Sequence, residues 1–522
     1  MKIVTAQQMK TIEKKAMKTG ISPDMLMEAA GLSIASKISS HIQSSPTGQI
    51  LSLIGPGNNG GDGLVASRIL ASWNIPVVIY LATSSTNCLE KYQECLELGI
   101  PIIKATEDPQ QELLRESLKH SDLLLDALFG AGSSRRFNQN LTDILRMVNH
   151  VKVTDPGSFR TIAVDIPSGI HPDNGSIPCS VLPADVTLAL GAPKIGLFRL
   201  PGASHTGVLE VLDIGLPKDF FKPERITLLD PNIPAQNLNP RPRYSNKRLF
   251  GRVLIVAGSR EYIGAARLAT LAAYRSGSGL VTLATPDSVY KLLAPTLPEA
   301  TYKPLPESPS GRIDSKSISL LQGIFPRYDA ILIGCGLGCD EDTTRLIEGV
   351  VCNTKQPMPP IVIDADGLNC LAAIPRWWDK VKTQVILTPH QGEMLRLISK
   401  KGRFDPIKAT VKFSKIWRQT VVMKGPITII AAPSGSCRIN ADPNPCLSTA
   451  GTGDILAGIT VALVGQKLEA YEAASSAVFV HSKVAQQISK SIGDGGMLAG
   501  DMIMQIPKTI ASLRGVILED IV

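Results

Sequence analysis

The chain has 522 residues, 44% hydrophobic and 19% charged, which excludes a single small domain and a disordered chain and leaves room for about two to four domains. Aromatic residues are only 5%, so the cores must be mostly aliphatic. The net charge of +8 is uneven: residues 1–220 carry −2, 221–250 carry +4 and 251–522 carry +6, an excess that points to anionic ligands in the middle and C-terminal half.

No segment has the continuous apolar length of a transmembrane helix. Residues 1–11 lack the apolar core of a secretory signal. Nine scattered cysteines, an odd number, suit a reducing compartment, so a cytoplasmic protein is expected. Cys335 and Cys339 stand close together in Gly334-Cys-Gly-Leu-Gly-Cys339. No second cysteine pair or histidine cluster follows at metal spacing, so both read as loop residues.

The first 40 residues read as two helical stretches parted by Gly20-Ile-Ser-Pro23, with Met25, Leu26, Ala29, Ala30 and Leu32 on an apolar face. Short aliphatic runs then alternate with helical stretches, at residues 50–54, 77–81, 123–126, 161–165 and 186–190. Such runs spaced by helices predict βαβ units and a parallel sheet. The pattern stops near Leu216. Residues 231–242 are rich in Pro and Asn, and Arg241, Arg243, Lys247 and Arg248 follow, which predicts a linker. A second α/β series runs through 252–258, 279–284, 330–334, 361–364, 384–388, 421–424 and 428–431, and residues 455–464 read as a buried helix. No repeat relates the two halves. The reading is a domain over 1–220, a linker over 221–250 and a second domain over 251–522.

Gly55-Pro-Gly-Asn-Asn-Gly60 matches the glycine pattern of dinucleotide folds and precedes a helical run from Leu64. The acidic residue such folds need about 20 residues later is missing. The continuation Asn58-Asn-Gly-Gly-Asp62 adds amide and carboxylate oxygens to a turn that suits a phosphate. It also fits an Asx-rich turn with glycines at positive φ. Asp126 and Asp165 end two further runs and lead into Phe129-Gly-Ala-Gly132 and Pro167-Ser168-Gly169. In an open parallel sheet these ends share one edge, where ligands bind. Oxygen donors without Cys or His suit an alkali or alkaline-earth cation.

Gly57-Asn-Asn-Gly-Gly-Asp-Gly63, Asp126-Ala-Leu-Phe-Gly130 and Val164-Asp-Ile-Pro-Ser-Gly-Ile170 together resemble the NAD(P)H-hydrate epimerase domain, as does Leu26-Met-Glu-Ala-Ala-Gly31. The resemblance implies a Rossmann-like three-layer fold that epimerises the hydrated nicotinamide ring. It places substrate at Asn58, Asn59, Gly60, Gly61, Asp62, Gly130, Ala131, Gly132, Ser133, Ser134, Arg135, Arg136 and Asp165. It places K+ at Asn59, Asp126 and Ser168. Asp165 is the expected acid/base group, since the reaction needs a carboxylate near the ring.

In the second half, Ala450-Gly-Thr-Gly-Asp454 opens the apolar helix and offers backbone N–H groups to an anion. A carboxylate there opposes phosphate binding, which favours Asp454 as a general acid or base, although an N-capping Asp is the plainer alternative. Lys424-Gly425-Pro426-Ile427-Thr428 supplies groups suited to a nucleotide phosphate, and Thr388-Pro-His390-Gln-Gly-Glu393 follows another strand. With Gly264-Ala265, Gly336-Leu-Gly338 and Asp364-Ala-Asp366, these motifs resemble the ribokinase-like superfamily and within it the NAD(P)H-hydrate dehydratase. Cys335 stands where that family is expected to carry Pro. The resemblance implies hydrated NAD(P)H at Ala265, Gly336, His390 and Asp454. It implies ADP or ATP at Lys424, Gly425, Pro426, Ile427, Thr428 and Gly453, with room for Mg2+.

The order of the two sets looks like the fused bifunctional repair enzymes: the epimerase converts the R hydrate to S, and the dehydratase returns S to NAD(P)H at the expense of a nucleotide. Small-molecule substrates, a homo-oligomer and neither nucleic acid nor membrane are expected. Two alternatives stand beside this reading. The second half could be a small-molecule kinase with Asp454 as base, and the first a non-catalytic nucleotide- or RNA-binding module.

Overall fold

The computed structural model describes residues 1–42, 48–84, 86–132, 139–354 and 357–515. They form two compact units, Met1–Ile226 and Thr227–Val522.

The first unit opens with the helices Ala6–Lys18 and Pro23–Ile42. The first helix starts where Thr5 Oγ1 accepts from Gln8 N–H (3.1 Å) and Gln8 Oε1 accepts from Thr5 N–H (2.7 Å), a reciprocal cap that satisfies two otherwise orphaned donors. Seven strands follow: β1 (Gln49–Ile54), β2 (Val77–Leu81), β3 (Ile102–Lys104), β4 (Ser121–Ala127), β5 (Arg160–Val164), β6 (Val186–Leu190) and β7 (Val208–Leu212). They build one parallel sheet in the order β3-β2-β1-β4-β5-β6-β7. Alternate residues of β1 and β4 feed two cores. Ile50, Ile54, Leu123 and Leu125 join Ile34 and Leu64 on one face, and Leu51, Leu53 and Leu124 join Leu114, Ile144 and Val148 on the other. Helices therefore cover both faces, as a buried parallel sheet requires.

Chain order reverses between β1 and β4, the kind of reversal beyond whose strand carboxyl ends open α/β sheets bind their ligands. The helix after β1 runs Asn58–Ser72, six residues earlier than the predicted start at Leu64. Its glycines serve close approach: a Cβ on Gly60 would lie 2.0 Å from the Gly55 carbonyl oxygen.

The second unit holds a ten-stranded sheet, in the order β11-β10-β9-β12-β13-β14-β15-β16-β17-β8. The strands are β8 (Ile226–Leu228), β9 (Arg252–Val256), β10 (Leu280–Pro286), β11 (Thr301–Leu305), β12 (Ala330–Ile333), β13 (Ile361–Ile363), β14 (Val385–Leu387), β15 (Thr420–Met423), β16 (Thr428–Ala431) and β17 (Cys437–Asn440). β11 to β15 are parallel along the sheet; β16 pairs antiparallel with β15 and β17. The predicted buried helix runs Thr452–Gly465 and packs with Ile263–Arg275 over the sheet. The stretch 221–250, read as a linker, carries β8, the helix Asn232–Asn237 and a 3-10 turn at Lys247–Phe250. Asn237 Nδ2 donates to Glu472 Oε2 at 2.8 Å and Leu229 N–H to the Ile439 carbonyl at 2.8 Å. Its Pro- and Asn-rich composition hides these short elements. No helix among the described residues is long and apolar enough to cross a membrane.

Candidate active sites in the two domains

In the first unit, Asp165 is the residue after β5 and takes φ +66°, a left-handed conformation that costs a non-glycine residue about 1–2 kcal/mol. Its carboxylate Oδ2 accepts from Ala131 N–H (3.2 Å), and Oδ1 accepts from Leu190 N–H (3.3 Å) and from Lys194 Nζ. Lys194 is only 2% exposed. Its ammonium also donates to the Leu190 carbonyl (3.2 Å), and its segment is pinned by Ile195 N–H to the Val4 carbonyl (2.9 Å) and Val4 N–H to the Pro193 carbonyl (3.0 Å). Around this ion pair, burial, with Asp165 and Glu13 adding to it, pushes the Asp62 carboxyl well above the usual carboxylate range. Glu13, reaching in from the first helix, is raised chiefly by burial and opposed by Lys194.

Beside it, Asp126 is fully buried. Its carboxylate accepts from Ser168 N–H (2.8 Å), Ser168 Oγ–H (2.6 Å) and Leu128 N–H (3.3 Å), yet burial still raises it to about 6. Asn59 Nδ2 is buried with no hydrogen-bond partner among the described residues. Gly130 lies so close to Asn59 that a Cβ there would sit 2.7 Å from Asn59 Oδ1. Asp126 and Ser168 are thus bonded to each other, and Asn59 Oδ1 faces the Gly130 turn that follows β4. The set fits a monovalent cation held by oxygen. Asn58 is exposed at the start of its helix, and Gly130 to Gly132, part-buried to exposed, lie in the loop after β4. Ser133, Ser134, Arg135 and Arg136 lie outside the described residues.

In the second unit the reversal falls between β9 and β12, and Gly258 N–H donates to the Cys335 carbonyl (2.9 Å), tying the two loops together. Gly336 adopts φ +63°, and a Cβ on it would meet Ala265 Cβ at 2.9 Å and Tyr262 Cβ at 2.6 Å. Asp364, 1% exposed at the end of β13, pairs with Lys424 Nζ at 2.5 Å. Gly453 stands above that pair, the position of its missing Cβ being 3.5 Å from Lys424 Nζ. Glu393, 4% exposed, has Lys424 Nζ at 4.0 Å; burial dominates and raises it to about 7.

Asp454 does not cap its helix. Gly451 is the cap residue, at φ +91°, and Asp454 occupies the first turn. Burial, reinforced by the charge of Asp364, raises it to about 6 against the pull of Lys424 and of a hydrogen bond from the Cys335 thiol. Cys335, a departure from the expected Pro, therefore touches the carboxylate that the sequence singles out as the expected acid or base. His481, driven to about 4 by burial and so neutral, meets the Thr452 carbonyl at 2.9 Å through Nε2 and braces the turn from below.

His390 accepts at Nδ1 from Gly392 N–H (2.9 Å) and Glu393 N–H (3.3 Å), while Glu393 Oε2 accepts from His390 N–H (2.7 Å). Burial and the charges of Lys424 and Arg396 hold its pKa below the ordinary value. With Nδ1 engaged as acceptor, the proton is on Nε2. Lys424 to Thr428 form the turn of the β15–β16 hairpin, where Gly425 and Pro426 are exposed and Thr428 Oγ1 donates back to the Gly425 carbonyl (3.2 Å).

A family model described as YjeF-related protein N-terminus matches residues 23–196, and one described as NAD(P)H-hydrate dehydratase matches 253–508. A bifunctional NAD(P)H-hydrate repair enzyme of Thermofilum pendens is 33% identical over 98% of this chain and 97% of its own length. The chain belongs to the family of bifunctional NAD(P)H-hydrate repair enzymes. The counterpart of Moorella thermoacetica is 34% identical, again over 98% and 97% of the two chains. The ADP/ATP-dependent NAD(P)H-hydrate dehydratase of Bacillus subtilis, co-crystallised with ATP and Mg2+, is 28% identical over 55% of this chain and 98% of its own, with a TM-score of 0.47. The enzyme's first unit is its epimerase domain and its second its dehydratase domain. The readings as a kinase and as an RNA-binding module give way to this membership.

Sequence reasoning did not single out Lys194, Glu13 or the contact of Cys335 with Asp454. Lys194 left a trace: it is the one charged residue between Val186 and Phe198.

Proposed function

We propose that the first domain interconverts the R and S forms of hydrated NADH and NADPH at Asp165, and that the second removes water from the S form at Asp454. For the first reaction, the buried Asp165–Lys194 ion pair carries the argument. Asp165 takes the proton of the ring hydroxyl as the bond from its carbon to the ring nitrogen breaks, and returns a proton as that bond re-forms on the other face, so the carbon inverts with no net gain or loss of atoms; Lys194 steadies the carboxylate as its charge changes. Asn58 to Asp62, Gly130 to Arg136 and Asp165 form the binding surface. The K+ held by Asn59, Asp126 and Ser168 would supply positive charge beside the Gly130 turn when bound.

For the second, the single observation is Asp454 in the first turn of a helix that also presents Gly453 above Lys424. ADP or ATP lies along Lys424 to Thr428, with its terminal phosphate at Gly453. Mg2+, where present, accompanies that phosphate. Asp454, ionised above about pH 6, takes the proton of the substrate hydroxyl as its oxygen attacks the terminal phosphorus. The shortened nucleotide departs, the hydroxyl oxygen then leaves with phosphate while the adjacent ring carbon gives up a proton and the ring double bond forms, and the sum is loss of water coupled to nucleotide hydrolysis. Ala265, Gly336 and the Nε2–H of His390 orient the hydrated ring. An odd complement of cysteines supports a reducing, cytoplasmic setting.

The test uses two variants of the full chain. Asp165→Asn should lose R-to-S conversion by about two orders of magnitude or more while turning over S normally, and Asp454→Asn should show the reverse. Asp165→Asn converting R at the normal rate would refute its role, and the same result with S would refute that of Asp454. For the cation, K+ should raise the melting temperature of the native enzyme relative to a bulky organic cation. Asp126→Asn should abolish that difference; an equal K+ effect in the variant would remove the assignment.

A further inference from the structure

We propose that Cys339 and Cys370 form an oxidisable dithiol whose disulfide slows the dehydratase domain. The sequence draws the eye to Cys335 with Cys339, but the fold separates them: Cys335 is buried against Asp454, whereas Cys339 is exposed. The sulfur near Cys339 belongs to Cys370, 31 residues later, with Sγ to Sγ at 3.7 Å. Cys370 is buried in the helix Asp366–Ala372, where it also contacts Thr343 Oγ1 at 3.7 Å. One thiol can be reached by a solute and the other can resolve it, the arrangement that separates a dithiol site from a single surface cysteine.

The chemistry needs a hydroperoxide. The Cys339 thiolate attacks the outer peroxide oxygen, the O–O bond breaks, and an alcohol or water leaves with a proton. Cys339 is then a sulfenic acid. Cys370 attacks that sulfur, the S–S bond forms, and the S–O bond breaks. Water departs with the Cys370 proton. The two electrons lost by the sulfurs are those gained by the peroxide.

The consequence follows from where Cys339 sits. It continues the loop Gly336-Leu337-Gly338, and Gly338 N–H donates to Asp366 Oδ2 (2.9 Å) at the head of the helix that carries Cys370. A disulfide is about 2.05 Å long, so closure draws the sulfurs together by about 1.7 Å. The loop has little slack. Gly336 is packed on Tyr262 and Ala265, and Gly338 is packed on Arg312, itself held by Asp340 at 2.9 Å. The pull therefore reaches Gly336 and Ala265, which we assign to the substrate. The loss of turnover rests on that assignment; the dithiol itself does not.

The experiment treats the full chain carrying Cys179→Ser, which removes an exposed cysteine capable of joining two molecules, with hydrogen peroxide. Free thiols are then alkylated and the peptides weighed. The expected result is a Cys339–Cys370 cross-linked peptide, about 2 Da lighter than its two thiol peptides. S-hydrate turnover should fall about tenfold and return with dithiothreitol, while R–S interconversion persists. Cys339→Ser, a change at an exposed position, should keep its turnover under the same treatment. Absence of the cross-link in folded protein would overturn the site, and a cross-link with unchanged turnover would overturn the control. If the untreated enzyme fails to make NADH from the S form, the dehydratase mechanism is at fault, and the peptide mass still decides the dithiol.

Discussion

Asp165 and Ala365 are two non-glycine residues with positive φ, at +66° and +49°, and each sits where a central strand of one domain ends. Strain of about 1–3 kcal/mol per residue persists only where the surroundings impose it, and it gathers at working sites. At Asp165 it turns the carboxylate towards Lys194 and Ala131; at Ala365 it separates Asp364, which faces Lys424, from Asp366, which holds Gly338. Asp454 supports a prediction at this scale. Its carboxyl is raised from 3.8 to about 6, so it holds a proton below about pH 6 and releases it above. A base must be ionised to act. Dehydratase kcat should therefore fall tenfold per unit as the pH drops below about 6 and stay level just above it. The read-out is a pH profile of S-hydrate turnover at saturating nucleotide; a rate that rises on acidification through that window would make Asp454 the acid instead. Asp126, Asp165 and Asp364 were legible beforehand because each interrupts an aliphatic run at its end. Lys194 was not, because a lysine is ordinarily solvated and only the fold shows it 2% exposed beside a carboxylate.

The helix Asn58–Ser72 shows what pattern alone misses. Its first turn, rich in Asn and Gly, has poor helix propensity and reads as a turn. Contact decides otherwise: Gly60 and Gly63 let the helix settle against Gly55 and Ala127, with Asn59 against Gly130. Edge strands escaped for another reason. β3, β7 and β11 are half-buried, and Thr301-Tyr-Lys-Pro-Leu305 has no aliphatic run to read. The buried central strands, by contrast, were predicted, except for β17, whose run Cys437-Arg-Ile-Asn440 carries two polar residues in four. Gly60→Ala tests the packing argument. Its Cβ would meet a backbone oxygen at 2.0 Å, and Gly55 follows β1, which is bonded to strands on both sides. The variant should destabilise the epimerase domain by about 2–3 kcal/mol and lose R–S interconversion. S-hydrate dehydration on the same chain should continue. Gly57→Ala, where nothing lies within 4 Å of the new carbon, is the matched control and should behave as the native enzyme. Equal melting curves for the two variants would show that close approach is not what the glycine serves.

At the scale of the whole molecule, the residues proposed for each reaction fall within one unit. Val4, Glu13, Asn59, Asp126, Asp165 and Lys194 all lie within the first unit, and Ala265, Cys335, Asp364, Lys424, Asp454 and His481 all within the second. Each has its own sheet and its own core. With the residues proposed for each reaction falling in separate units, the S hydrate is expected to leave the first site and reach the second through solution. Two damaged molecules should then repair what neither can repair alone. Asp454→Asn retains the epimerase, and Asp165→Asn retains the dehydratase. Given the R form and nucleotide, either variant by itself should yield NADH only as fast as R and S interconvert without help. Mixed, they should restore conversion, and the rate should rise in proportion to whichever variant is scarcer, because the S hydrate must diffuse between molecules. The measurement is recovery of NADH absorbance against the ratio of the two variants at fixed total protein. A mixture no faster than its better component would mean that the intermediate has to pass within one chain.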